Sequence, residues 1–163
     1  MKSAPQWEAE VRVLAPLPAV WDAVDDLSLI PEYHPEVRHV EFLSGQARRA
    51  QGVRYKCVVT EGRKGWCVEE VMAHHPYEST TVAFPEDSWG ISRRVADFLT
   101  EISVAPGVSG ETLLRVRAWY RPRGWLMRLA NPVLMRRMMR NRAMKTLEGL
   151  KRLVERRRNA RPA

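Results

Sequence analysis

The stretch ETLLRVRAWYRPRGWLMRLANPVLMRRMMRNRAMKTLEGLKRLVER, residues 111–156, decides the fold class, because its apolar period changes once along its length. In the first part Leu114, Val116, Ala118 and Tyr120 alternate with Arg115, Arg117, Trp119 and Arg121, the pattern of a strand with one apolar face. Further on, Leu134, Met135, Met138, Met139, Leu147, Leu150 and Val154 recur at helical spacing. Asn131-Pro132 reads as an N-cap followed by proline at the first helical position, so the helix is expected from there to about Arg156. A long amphipathic helix arriving directly after a strand must bury its apolar stripe against the sheet.

Working back towards the N-terminus, Trp7, Ala9, Val11 and Val13 alternate with Glu8, Glu10 and Arg12 and predict a first strand. Pro16 and Pro18 stop it. Val20, Trp21 and Val24 then share a helical stripe, and a second short turn is expected from Leu29 to Tyr33. Residues 37–44, 52–60, 66–73, a segment through Val82 and Phe84, and 93–105 read as strands separated by turn-forming residues. The whole is an α+β order: strand, two short helices, a run of strands, one long helix. A curved antiparallel sheet closed by a terminal helix encloses a pocket in place of a solid core.

At 163 residues the chain fits one domain, expected over 1–156, with 157–163 as a disordered basic tail. Apolar residues make up 45% and charged ones 28%, and no run approaches the roughly 18 uninterrupted apolar residues of a membrane span. Met1 to Gln6 carry no apolar signal segment, so a cytoplasmic address is expected. Charge is polarised: residues 111–163 carry 16 Lys/Arg against 3 Asp/Glu, whereas residues 1–110 are net acidic. A basic helix of this kind favours anionic partners and makes a peripheral position at an anionic membrane a docking alternative. Nucleic acid is disfavoured, because no groove-reading motif accompanies the basic residues.

Cys57 and Cys67, the only cysteines, read as two reduced thiols. Facing follows from polarity: Val53, Tyr55, Cys57 and Val59 should point inward, as should Phe98, Ile102 and Val104. A two- or four-residue loop after Thr60 puts Trp66, Val68, Glu70 and Met72 inside as well, with Cys67 outside; a three-residue loop reverses this.

The run Ala15-Pro16-Leu17-Pro18-Ala19-Val20-Trp21 with Asp26, then Pro31-Glu32-Tyr33-His34-Pro35-Glu36-Val37, resembles the opening of the bacterial polyketide cyclase/dehydrase-like proteins. These belong to the START-related, Bet v 1-like helix-grip superfamily. Gly52, Glu70-Val71 before Pro76, Thr112 and the closing Leu147-Glu148-Gly149-Leu150-Lys151 extend the likeness over nearly the whole chain. The resemblance implies a seven-stranded antiparallel sheet around the C-terminal helix and a cavity for a hydrophobic molecule. Members include lipid carriers, quinone-binding proteins and polyketide aromatase/cyclases. Tyr33 departs from the pattern, which often has Trp there.

The expected ligand is therefore a lipid, quinone or polyketide-like molecule, bound without cofactor or metal. Tyr33, Tyr55, Trp66, Phe84, Phe98 and Tyr120 are candidate lining residues, the Tyr hydroxyls giving orientation. Met135 and Met138 add adaptable thioethers. For an aromatase/cyclase alternative the candidate acid/base groups are Glu70, a carboxylate among apolar neighbours, and His34 at the rim. The four histidines lack metal-ligand spacing.

Overall fold

The computed structural model describes residues 4–60, 62 and 64–160. Strand β1 (Trp7–Val13) leads through helix α1 (Leu17–Asp25) and the short α2 (Ile30–Tyr33) to β2 (Val37–Glu41). Strands β3 (Arg54–Val59), β4 (Gly65–His75), β5 (Ser79–Asp87), β6 (Val95–Pro106) and β7 (Thr112–Pro122) follow, with a single helical turn, α3 (Ile91–Arg94), before β6. The seven strands form one antiparallel sheet in the order β1-β7-β6-β5-β4-β3-β2. Helices α1 and α2 carry the chain from one sheet edge to the other, so the strands in between meander back to β1. The α+β, seven-stranded expectation is met.

The apolar residues of each strand explain the closure. Ala9, Val13, Leu114 and Val104 present the inner face of β1, β7 and β6, and Leu147, Leu150, Leu153 and Val154 of the terminal helix pack on them with Val20 and Trp21 of α1. Burying a side chain of this size stabilises by about 1.5–3 kcal/mol. A second cluster joins Leu27, Ile30, Val40, Tyr55 and Val71 at the other end of the sheet.

The terminal helix departs from its predicted boundaries at both ends. It begins at Trp125, directly after Gly124 with its positive φ of 77°, as α4 (Trp125–Ala130), passes through a π-turn (Asn131–Met135) and continues as α5 (Arg136–Asn159). Asn131-Pro132 is thus an interior bulge and not an N-terminus. The Asn131 side chain is buried and spent elsewhere: its Oδ1 accepts the Tyr120 hydroxyl at 2.7 Å and its Nδ2 donates to Gln6 at 3.1 Å. Pro132 has no N–H to give, and a widened turn accommodates that loss. At the far end Arg157 belongs to the helix and pairs with Glu32 at 3.1 Å, so the expected tail boundary after Arg156 moves to Asn159. Residues 161–163 of that tail lie outside the described residues.

The β3–β4 register is the second correction. Val59 lies opposite Gly65, with an odd number of residues between them, and Cys57 faces Cys67 while Tyr55 faces Glu69. Directly opposed residues of an antiparallel pair project from the same face. Cys57 and Cys67 therefore both point inward as free thiols, Glu69 points inward with them, and Trp66 and Glu70 point outward.

Candidate functional site

Between the sheet and the terminal helix lies a cavity of about 510 Å³. Its walls are mainly apolar: Ile30, Val59, Phe84, Phe98 and Ile102 come from α2 and the strands, and Met139 and Leu147 from the helix. The Phe84 and Phe98 rings stack at 4.6 Å, and Tyr120 meets Phe98 edge-on at 5.6 Å from behind. Glu36 and Arg142, 3.7 Å apart and both solvent-exposed, also belong to the lining and form its charged rim. Asp87 shapes the wall next to β5 by accepting the backbone N–H groups of Trp89, Ile91 and Ser92 at 2.8, 2.9 and 2.7 Å. Burial alone would raise its pKa, but these bonds favour the carboxylate and hold it below the usual value.

One patch of the wall is polar. Arg49, from the loop between β2 and β3, is only 5% exposed and lines the cavity. Its Nη2 donates to the Tyr55 hydroxyl at 3.2 Å, while Nε and Nη1, both buried, have no hydrogen-bond partner among the described residues. The Tyr55 hydroxyl in turn donates to Glu69 Oε2 at 2.7 Å. Glu69 Oε1 accepts from the Cys57 thiol at 3.4 Å and lies 3.9 Å from that of Cys67. A cation, a carboxylate and two thiols thus stand together on the cavity wall, linked by a phenol buried just behind it.

Protonation follows from the surroundings. Burial raises the pKa of Tyr55 and of Tyr33, more than Arg49 nearby lowers them, so both remain phenols at neutral pH. Burial works against the Arg49 charge, but Tyr55, Tyr33 and Glu69 outweigh it and its pKa is raised. The Cys57 thiol is pushed well up by the neighbouring Cys67 thiol, by burial and by Glu69, which keeps it a weak nucleophile. His34, also in the lining, has its pKa lowered to about 4, by burial first and then by Arg142 and Arg38 against the opposing Glu36. Its Nδ1 accepts the backbone N–H groups of Glu36 and Val37, each at 3.1 Å, which leaves Nε2–H as the donor.

The residues named from sequence separate into three groups. Tyr33, His34, Phe84 and Phe98 line the cavity. Tyr55 and Tyr120 are fully buried just behind its wall, where Tyr55 orients Arg49 and Tyr120 holds Asn131. The rest are elsewhere: Trp66 lies on the outer face beneath the Lys56 ammonium, Met138 is 45% exposed, and Met135 packs against Trp7 and Tyr120, while Met139 takes the cavity position. Glu70 is paired with Arg54 at 3.6 Å on the outer face, and Glu69 occupies the place expected for it. Trp119, on the arginine-bearing face of β7, is half-buried with the Arg117 guanidinium 5.9 Å over its ring. Arg49 had no signal of its own: it follows Arg48 in a polar loop, and Arg48 points outward to Asp25.

A sheet wrapped on a terminal helix, with a cavity between them, is matched over residues 5–155 by the family model described as polyketide cyclase / dehydrase and lipid transport. The chain belongs to this family. Solved structures share the helix-grip fold over most of their length. A protein from Thermus thermophilus is 20% identical, with 91% of this chain and 95% of that one covered and a TM-score of 0.70. A point mutant of norcoclaurine synthase from Thalictrum flavum, in complex with a transition-state analogue, is 14% identical over 93% and 94% of the two chains at a TM-score of 0.71. A Nitrosospira multiformis protein is 11% identical, covering 89% and 92%, also at 0.71. No curated protein matches the sequence. As a member of the cyclase/dehydrase and lipid transport family the chain has a ligand-binding fold, and no helix among its described residues is long and apolar enough to cross a membrane.

Proposed function

We propose that the chain binds and carries a hydrophobic small molecule, of lipid, quinone or polyketide-like type, in this cavity without covalent catalysis. The ligand presents an acceptor oxygen, a carboxylate or a polarised carbonyl, to Arg49. The observation that supports this reading is the pair of unpartnered, buried N–H nitrogens of Arg49 in an apolar cavity. A guanidinium left in that state costs free energy until an acceptor arrives, so the cavity is chemically incomplete without one. Covering about 250 Å² of ligand apolar surface contributes about 6 kcal/mol before association costs, against about 1.5–3 kcal/mol for a hydrogen bond to a charge. Affinity therefore comes from the apolar wall and orientation from Arg49.

Displacement of a bound fluorescent fatty acid tests this. Dodecanoate should compete at least tenfold better than dodecane, and Arg49→Met should remove that difference while dodecane competes as before. Equal competition by both compounds, unchanged in a variant that still unfolds cooperatively, overturns the reading.

Glu69 supports a second reading, an aromatase/cyclase-type enzyme. A cavity carboxylate beside a phenol at 2.7 Å is placed to take a proton from an enolisable chain held against Arg49. Under this reading Glu69→Gln abolishes turnover of a polyketide-like substrate yet leaves its binding intact. Under the carrier reading the bound molecule is recovered unchanged.

A further inference from the structure

The first half of the terminal helix carries a surface that the cavity does not use. Trp125, Leu126, Leu129, Val133 and Leu134 are between 65% and 78% exposed, and Met138 adjoins them at 45%. Asn131 and Met135, on the other side of the same segment, are buried. Single apolar residues are common on protein surfaces, but a contiguous set of this size marks an interface. Trp125, Leu129 and Val133 are spaced four residues apart and so share one stripe of the helix, with Leu126 and Leu134 exposed beside it.

The charge around this patch says what covers it. From Arg121 to Arg142 there are seven arginines and no carboxylate. Arg121 pairs with Asp97 and Arg142 with Glu36. Arg136 and Arg140 are held by neutral oxygens, Gln6 Oε1 and the Glu8 carbonyl, and Arg123, Arg128 and Arg137 have no carboxylate partner among the described residues. We propose that this face docks on the surface of an anionic lipid bilayer, with Trp125, Leu126, Leu129, Val133 and Leu134 entering the headgroup region and the arginines on the lipid phosphates. An interfacial helix has this form: bulky apolar residues and a Trp on one side, basic residues beside them. A second copy fits poorly, because two-fold pairing sets one arginine cluster against the other. Nucleic acid leaves the apolar side chains unused.

Each basic residue near an anionic surface strengthens binding roughly fivefold, so the three unpaired arginines together give about a hundredfold preference over a neutral surface. The docked segment continues directly into Met139 and Arg142, which line the cavity. Docking itself needs no ligand.

Sedimentation of the full chain with vesicles tests the proposal. With mixed phosphatidylcholine and phosphatidylglycerol at low salt the protein should pellet; with phosphatidylcholine alone it should bind about a hundredfold more weakly, and high salt should narrow the gap. Leu126→Glu with Val133→Glu changes only exposed side chains, so this double variant should keep its melting temperature and stay in the supernatant. Three outcomes overturn the proposal: no pelleting with the anionic vesicles, a double variant that pellets like the parent, or a dimer in solution that the double variant dissolves while neither form binds lipid. The dodecanoate competition contains no vesicles, so loss of ligand binding and loss of docking are read separately.

Discussion

The two halves of the terminal helix have similar residues and different surroundings. From Leu147 onward the apolar side chains are buried under α1 and α2 and against β1. Gly149 is part of the reason, since it lets the α2 backbone come so close that a Cβ there would overlap the Tyr33 carbonyl oxygen. Between Trp125 and Leu134 an equally apolar set faces outward, because α1 and α2 reach only the distal half. Periodicity in a helix shows that an apolar stripe exists. Which elements lie over it decides whether the stripe becomes core or interface.

Gly149→Ala attacks the buried half most directly and carries the largest expected effect. The new methyl group meets backbone, which cannot rotate away, so a loss of about 3 kcal/mol is expected in urea unfolding. A midpoint unchanged from the parent would mean that α2 does not sit on the helix as described.

An intermediate effect is expected from acid. His34 adjoins this contact and has a pKa of about 4 in the fold against 6.5 for the free side chain. The unfolded chain therefore takes up the proton first. His34 contributes its full share of stability above about pH 6.5 and loses it progressively as pH falls towards 4, by about 3 kcal/mol in all. His34→Asn should flatten that part of the stability profile measured by urea unfolding. A variant with the same slope as the parent would assign the acid sensitivity to other groups.

The smallest effect belongs to the exposed half. Leu134→Ser should shift the unfolding midpoint by no more than about 0.5 kcal/mol, since a 67% exposed side chain has little packing to lose. A loss comparable to that of Gly149→Ala would show that the outer stripe is covered within the isolated chain.

Much of this architecture was legible in the sequence. Alternation fixed the inner faces of β1, β3, β6 and β7, where apolar and polar residues take turns over several positions, and the helix announced itself by its spacing. In β4 the residues Trp66-Cys67-Val68-Glu69-Glu70 carry no such alternation, and two adjacent carboxylates read equally well in either register. The pairing of Val59 with Gly65 settled the choice and moved the cavity carboxylate from Glu70 to Glu69. Asn131-Pro132 misled for a related reason: the residue types of a helix start were present, but the Asn131 amide was engaged by Tyr120 and Gln6, far away in the chain.

The sequence by itself determined the fold class, the place of the long helix and the apolar character of the space beneath it, because periods of 2 and 3.6 are local properties of the chain. Only the tertiary structure decided which of two adjacent arginines and two adjacent glutamates enters the cavity, and which half of the helix is left uncovered. Those choices rest on strand register and on contacts between distant segments, and a one-residue change in register exchanges inside for outside without altering the pattern that local sequence displays.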